Sequence, residues 1–219
     1  MENSGGTTVA DLRAHAAWRR WPELVALTCA CGTAAGLSAE PARYELDPDH
    51  LTIAFLVEHI GYAKTLGMFR SASGGYTFDE AAGTLSAVRV VVETNSVDTH
   101  HEARDRHLTS RDFLDSAAHS TMTFTAESAR RTGERTFAVT GELQLLGVAK
   151  PLTLEAVVNK SAPYPIGARA EVMGVSLRGV LQRSEFGMTY GVADGLVGDA
   201  VEILIELEAR RVIDEAQGR

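Results

Sequence analysis

Cysteine is scarce in this chain. Of 219 residues only Cys29 and Cys31 are cysteines, and both precede the region where strand-like patterning begins. The body of the chain is therefore expected to fold without disulfides. The C-x-C spacing has no second Cys or His cluster beside it to complete a zinc tetrahedron, so no metal is implied there. Positive charge is also short: 21 Lys and Arg face 29 Asp and Glu, for a net charge of -8. A phosphate-backbone partner would want a basic face, so nucleic acid is not an expected partner. The same balance argues against tight electrostatic docking on anionic lipid. No apolar run reaches the ~18 residues of a membrane span. There is no G-x-S-x-G elbow, no P-loop and no G-x-G-x-x-G fingerprint, which removes the commonest nucleophile and nucleotide sites. No cofactor is implied.

What is present is period-two alternation. Leu51, Ile53, Phe55 and Val57 alternate with Thr52, Ala54, Leu56 and Glu58, as in a half-buried strand. Met122 and Phe124 sit between threonines. Phe137, Val139, Gly141, Leu143 and Leu145 form a longer row, and Leu152, Leu154, Ala156 and Val158 another. Val201, Ile203, Ile205 and Leu207 close the series. Val88 to Val92 carries β-branched residues on both faces, as expected of a strand covered on both faces. Ser73-Gly74-Gly75, Thr132-Gly133-Glu134, Gly147 with Pro151, Pro163 to Gly167 and Ala193-Asp194-Gly195 punctuate the strands. Regularly spaced strands with turns between them predict an all-β chain, either a closed antiparallel barrel or a sandwich. Closure removes the exposed edges that a sheet this large would otherwise leave. Only Asp98 to Asp115 reads as helical. Thr99 with Glu102 three residues on has capping-box spacing, and Ser110 would cap a second short turn holding Phe113 and Leu114.

Residues 1–43 differ from the rest. Trp18-Arg19-Arg20-Trp21 is followed by an apolar, small-residue stretch from Leu24 to Ala39. That order resembles a secretory signal and predicts export to the periplasm or secretion. The alternative is a polar extension on a cytoplasmic protein. Residues 212–219 read as a short polar tail.

Between these segments, an ordered set of pieces carries a family resemblance. It comprises Tyr44-Glu45-Leu46-Asp47-Pro48-Asp49-His50, Arg104-Asp105-Arg106-His107-Leu108, Asp112-Phe113-Leu114-Asp115, Gly141 to Val148, Arg183-Ser184-Glu185-Phe186-Gly187-Met188 and Leu196 to Ile203. Together they are similar to the YceI-like, polyisoprenoid-binding family over about three quarters of the chain. The resemblance implies an elongated, lipocalin-like antiparallel β-barrel of about eight strands spanning 44–211. One or two short helices are expected in a connecting loop. It also implies non-catalytic binding, storage or transport of a long-chain isoprenoid, a quinone or a fatty-amide-type lipid. Transient membrane contact and a homodimer accompany that expectation. A barrel of this size can just hold one small ligand, or fill itself with side chains. The alternatives are therefore a filled interaction or stress protein and a cavity enzyme (hydrolase or isomerase) acting on an amphiphile.

Candidates for the tunnel wall are Phe55, Val57, Met68, Phe69, Val91, Phe124, Phe137, Leu143, Phe186 and Met188. The apolar and aromatic character of pocket linings supports the choice, although ordinary core packing would use the same residues. His59 shares the face of Ile53, Phe55 and Val57 and is the head-group candidate, while His50 falls opposite. His100, His101 and His107 are poorly spaced for a metal on a helix rising ~1.5 Å per residue. Asp105 and Arg183 would pair to pin the connecting loop.

Overall fold

Alternation becomes strand throughout the computed structural model, which describes residues 40–213 apart from residue 168. The cysteine pair, the apolar stretch and residues 214–219 lie outside the described residues. The strands are β1 (Ala42–His59), β2 (Ala63–Phe69), β3 (Ala72–Asp79), β4 (Thr84–Glu93), β5 (Val97–Asp98), β6 (Thr121–Ala126), β7 (Arg130–Arg131), β8 (Thr136–Leu145), β9 (Val148–Pro163), β10 (Glu171–Gln182) and β11 (Val197–Arg211). One α-helix, α1 (Glu102–Leu108), and two 3-10 turns (Thr94–Ser96 and Arg183–Phe186) complete the elements.

Eight strands run antiparallel around a closed circuit in the order β1, β3, β4, β6, β8, β9, β10, β11. The circuit is sealed because β11 also pairs β1, from Tyr44↔Arg211 to His59↔Val197. Long β1 serves two neighbours on its other side: β3 along Ala42–Glu45, then β2 along Ile53–His59. β5 borders β2, and β7 borders β8. Closure leaves the principal strands without the unpaired edges that invite aggregation.

Register explains which side chains face inward. β1 carries a register shift between Leu46 and Leu51. Ala42, Tyr44 and Leu46 are buried before it, and Leu51, Ile53, Phe55 and Val57 point in after it. The shift inserts three extra residues on β1, an odd number, and so switches the inward set from even to odd numbers. Across the barrel, Phe124↔Leu143, Val139↔Leu154 and Leu177↔Ile205 are inward cross-strand pairs. The β8–β9 hairpin closes in two residues, Leu146 (φ 53) and Gly147 (φ 74). Two successive positive φ values define a type I′ turn, whose twist suits a hairpin.

Chain direction sorts the connections to two ends. The Asp79–Thr84 turn and the turn between β9 and β10 lie at one end. The β1–β2 tip, Leu146-Gly147, residues 94–120 with α1, and residues 183–196 all lie at the other. Helix α1 begins with His101 as N-cap, its ring accepting the Arg104 N–H at 3.2 Å. Thr99 does not cap it. Its N–H and hydroxyl instead donate to Asp105 at 2.9 and 2.6 Å. Phe113 and Leu114 occupy a hydrogen-bonded turn on Ser110 rather than a second helix.

Candidate functional site

The inward rows do not meet. They enclose a cavity of 540 Å³, within the roughly 300–1,000 Å³ of small-molecule sites. A barrel filled by its own side chains is thereby overturned. Aliphatic and aromatic groups from every strand of the circuit form the wall, with Val88, Val90 and Val92 on one side and Leu152, Leu154 and Ala156 on another. Phe55 finds room because residue 67 is glycine: a Cβ there would lie 2.3 Å from its ring.

The charged groups of the cavity lining gather at one end. At the turn end of β3–β4, its lining is Leu46, Tyr76, Phe78, Leu85, Phe137 and Met173. Tyr76 stacks on Tyr44 with centroids 5.3 Å apart. Its hydroxyl is buried without a hydrogen-bond partner, and burial pushes the phenol pKa up. At the α1 end the lining includes Glu58, His59, Thr65, Thr99, Arg104, His107, Arg183 and Tyr190. Glu58, His59, Ile60, Arg104, Tyr190 and Leu196 there are also solvent-exposed. The mouth therefore lies at this end, and the deep end is apolar apart from the Tyr76 phenol.

Arg183 holds the mouth together. It is 3% exposed, and its guanidinium donates to four carbonyls: Gly198 (2.7 Å), Met188 (2.8 Å), Tyr190 (2.7 Å) and Val197 (2.8 Å). It lies 5.7 Å from the Phe113 ring centroid, a cation–π contact to the α1 loop. Burial lowers its pKa, with Asp199 opposing, yet a guanidinium stays charged. Gly187, at φ +91, ends the Arg183–Phe186 turn in a conformation that favours glycine. The expected Arg183–Asp105 pair does not form, because Asp105 is committed to Thr99. Arg104 donates to Thr99 Oγ1 and its carbonyl at 2.7 and 2.8 Å. His107 pairs with Asp112 at 2.9 Å and meets the Phe113 and Tyr190 rings edge-on.

The structure brings Phe55, Val57, Phe69, Phe124, Phe137, Leu143 and Met188 to the wall, with His59 at the mouth. Three expected residues are absent from the wall. Met68 pairs Ala54 while Phe69 pairs Ile53; neighbours on a strand face opposite ways, so Met68 points outward. Val91 faces out for the same reason between inward Val90 and Val92, and the outer face of β4 is only half-buried, not covered. Phe186 is buried within the 3-10 turn after β10, off the cavity. Sequence reasoning missed Val139, Leu145, Leu154, Met173 and Leu177 as wall residues, although uniform parity along β8, β9 and β10 would have found them. It also missed the mouth set of Arg104, His107 and Tyr190, which only the loop fold assembles.

A family model described as the YceI-like domain matches residues 44–209, nearly the whole closed circuit. The chain belongs to the YceI-like family. Protein YceI of Salmonella arizonae is 36% identical over 173 residues, covering 78% of this chain and 88% of that protein. The crystal structure of the Campylobacter jejuni YceI protein superposes with a TM-score of 0.65 at 29% identity, over 71% of this chain and 90% of that one. A polyisoprenoid binding domain from Saccharophagus degradans, implicated in plant cell wall breakdown, gives a TM-score of 0.58 at 17% identity, over 77% and 98%. At that identity the likeness shows the fold. The closed antiparallel eight-strand barrel has the lipocalin-like YceI fold of these structural neighbours.

Proposed function

We propose that this YceI-like barrel is a non-catalytic carrier or store for one long-chain amphiphile: an isoprenoid, a quinone or a fatty-amide-type lipid. The single observation that carries the reading is the 540 Å³ hydrocarbon-walled cavity with polar groups gathered at its mouth. The polyisoprenoid binding named for the Saccharophagus degradans domain supports the isoprenoid class. Each methylene taken from water into such a wall is worth about 0.8 kcal/mol. A long tail does not start in water, however. It comes from a membrane or micelle where it is already dry, so transfer into the barrel is nearly balanced and reversible. Reversible loading is what carriage requires.

Loading implies transient contact with a membrane at the mouth. Ile60, Tyr62 and Leu196 are exposed there at 46, 89 and 41%, and an apolar rim lowers the cost of moving a tail across. Among the described residues no helix is long and apolar enough to cross a membrane. Self-association is proposed through the outward row Leu56, Leu66 and Met68; a monomeric mass by light scattering removes that reading. Export is proposed on residues 1–43, and mapping the mature N-terminus of fractionated protein decides it.

Native mass spectrometry of protein purified without detergent tests the carrier. A stoichiometric isoprenoid, quinone or fatty-amide adduct is expected. An unliganded barrel that also rejects hydrophobic dyes, or an adduct that is converted on standing, overturns the reading.

A further inference from the structure

We infer that the preferred amphiphile carries an anionic head group, seated at the mouth beside the Arg183 and Arg104 guanidinium groups. The inference rests on the carrier reading, keeps its long apolar tail and replaces its neutral quinone or amide head group with an acidic one.

Both cations are held by neutral acceptors. Arg183 donates to four backbone carbonyls, and among the described residues it forms no ion pair. The acid nearest in effect, Asp199, is engaged by the Ser184 N–H and hydroxyl at 2.8 and 2.7 Å. Carbonyl dipoles satisfy four of the five N–H donors but leave the unit charge in place, and among the described residues the second Nη1 proton has no acceptor. Among the described residues, Arg104 on α1 bonds only the hydroxyl and carbonyl of Thr99. Asp105, which could have paired with it, accepts from Thr99 instead. Both guanidinium groups line the same mouth.

Among the described residues no carboxylate forms an ion pair with either, although Asp199 acts on Arg183 through space. Asp112 is taken by His107. Glu58 reaches the lining, but it is exposed, where water and salt screen it. Arg183 is buried against a hydrocarbon wall, where its field is screened far less. An anionic head group arriving on an apolar tail meets two guanidinium groups that no carboxylate pairs directly, Arg183 buried and Arg104 exposed. An amide or alcohol meets the same donors without that attraction. A carboxylate and a phosphate monoester share this chemistry.

The test is displacement of bound 1-N-phenylnaphthylamine from delipidated full-length protein at pH 8. The competitors are hexadecanoate, hexadecyl phosphate, hexadecanamide and hexadecanol, identical in tail. One or both anions are expected to displace the probe at about tenfold lower concentration than the neutral pair, the margin by which hydrogen bonds to charged groups exceed neutral ones. Preference for one anion over the other then tells which head-group source the mouth fits. The gap narrows in Arg104→Gln, a change at an exposed side chain that leaves the barrel wall untouched. Equal displacement by all four overturns the inference and leaves the carrier reading standing. A full gap in Arg104→Gln overturns the placement of the head group beside Arg104. Failure of all four to displace the probe removes the carrier reading, and the inference with it.

Discussion

Ala156→Phe is the most direct test of the cavity as a tail site. Ala156 lies mid-way along β9, in register with Phe137 and Leu177, and its methyl lines the cavity. A benzene-sized group fills a space of about 150 Å³, so the new ring takes roughly a quarter of the 540 Å³ and blocks passage toward Phe78 and Met173. A hexadecyl tail that leaves about six methylenes outside forfeits about 0.8 kcal/mol for each, about 5 kcal/mol in all. That is more than a thousandfold in Kd. A shorter tail that ends above the ring binds as before. The assay is probe displacement by a homologous series of straight-chain alcohols, each below its micelle threshold. The expected result is a chain-length optimum that moves shorter while the urea midpoint stays level or rises, since the ring enters an existing void rather than a packed core. An unchanged optimum in a folded variant would refute the placement of the tail in this hollow.

Two further outcomes follow from the geometry. Arg183→Met orphans the carbonyls of Met188, Tyr190, Val197 and Gly198. Buried orphans cost about 1–3 kcal/mol each, offset in part by no longer burying a cation. A net loss of about 4 kcal/mol, at an m-value of about 2 kcal/mol/M, lowers the urea midpoint by about 2 M; a loss under about 1 kcal/mol contradicts the assigned role. The second outcome concerns His50. Its hydrogen bond to Asp47 (2.9 Å) raises its pKa, partial burial opposes the rise, and Glu208 at 3.8 Å adds to it. A raised folded-state pKa means stabilisation that is complete below the unfolded value of ~6.5 and lost as pH climbs through the folded one. Thermal stability should therefore decline across that window in the wild type and stay flat in His50→Ala. An imidazole NMR titration of His50 with its midpoint at or below the unfolded value would contradict this.

Much of the wall was legible in the chain because a strand repeats every two residues. Phe124, Phe137 and Leu143 sit on uninterrupted alternating rows, and nothing in their strands disturbs the count. Where the count is disturbed or ignored, the reading slips. Met68 and Phe69 are adjacent and cannot share a face. Val91 looked inward because the β4 run is valine-rich on both sides, yet of those valines only Val88, Val90 and Val92 reach the cavity. The shift between Leu46 and Leu51 reverses parity inside β1, and Asp47-Pro48-Asp49-His50 does not announce the switch. At α1, Thr99 has the right spacing to cap. Asp105 and Arg104 claim its groups first, so His101 takes the position.

Sequence by itself determined the antiparallel barrel and the apolar character of its inward rows, because alternation, turn residues and family pieces are local or ordered along the chain. Whether the inward rows would touch or stand apart was a tertiary matter. It depends on how many strands close the circuit and on details such as the missing Cβ at Gly67, which lets the Phe55 ring lie flat against β2. The polarity of the mouth was likewise decided only by folding. Residues as distant as Glu58, Arg104 and Arg183 meet there because antiparallel strands return their connections to the same end. A buried guanidinium chooses among acceptors by geometry in space, and no spacing along the chain encodes that choice.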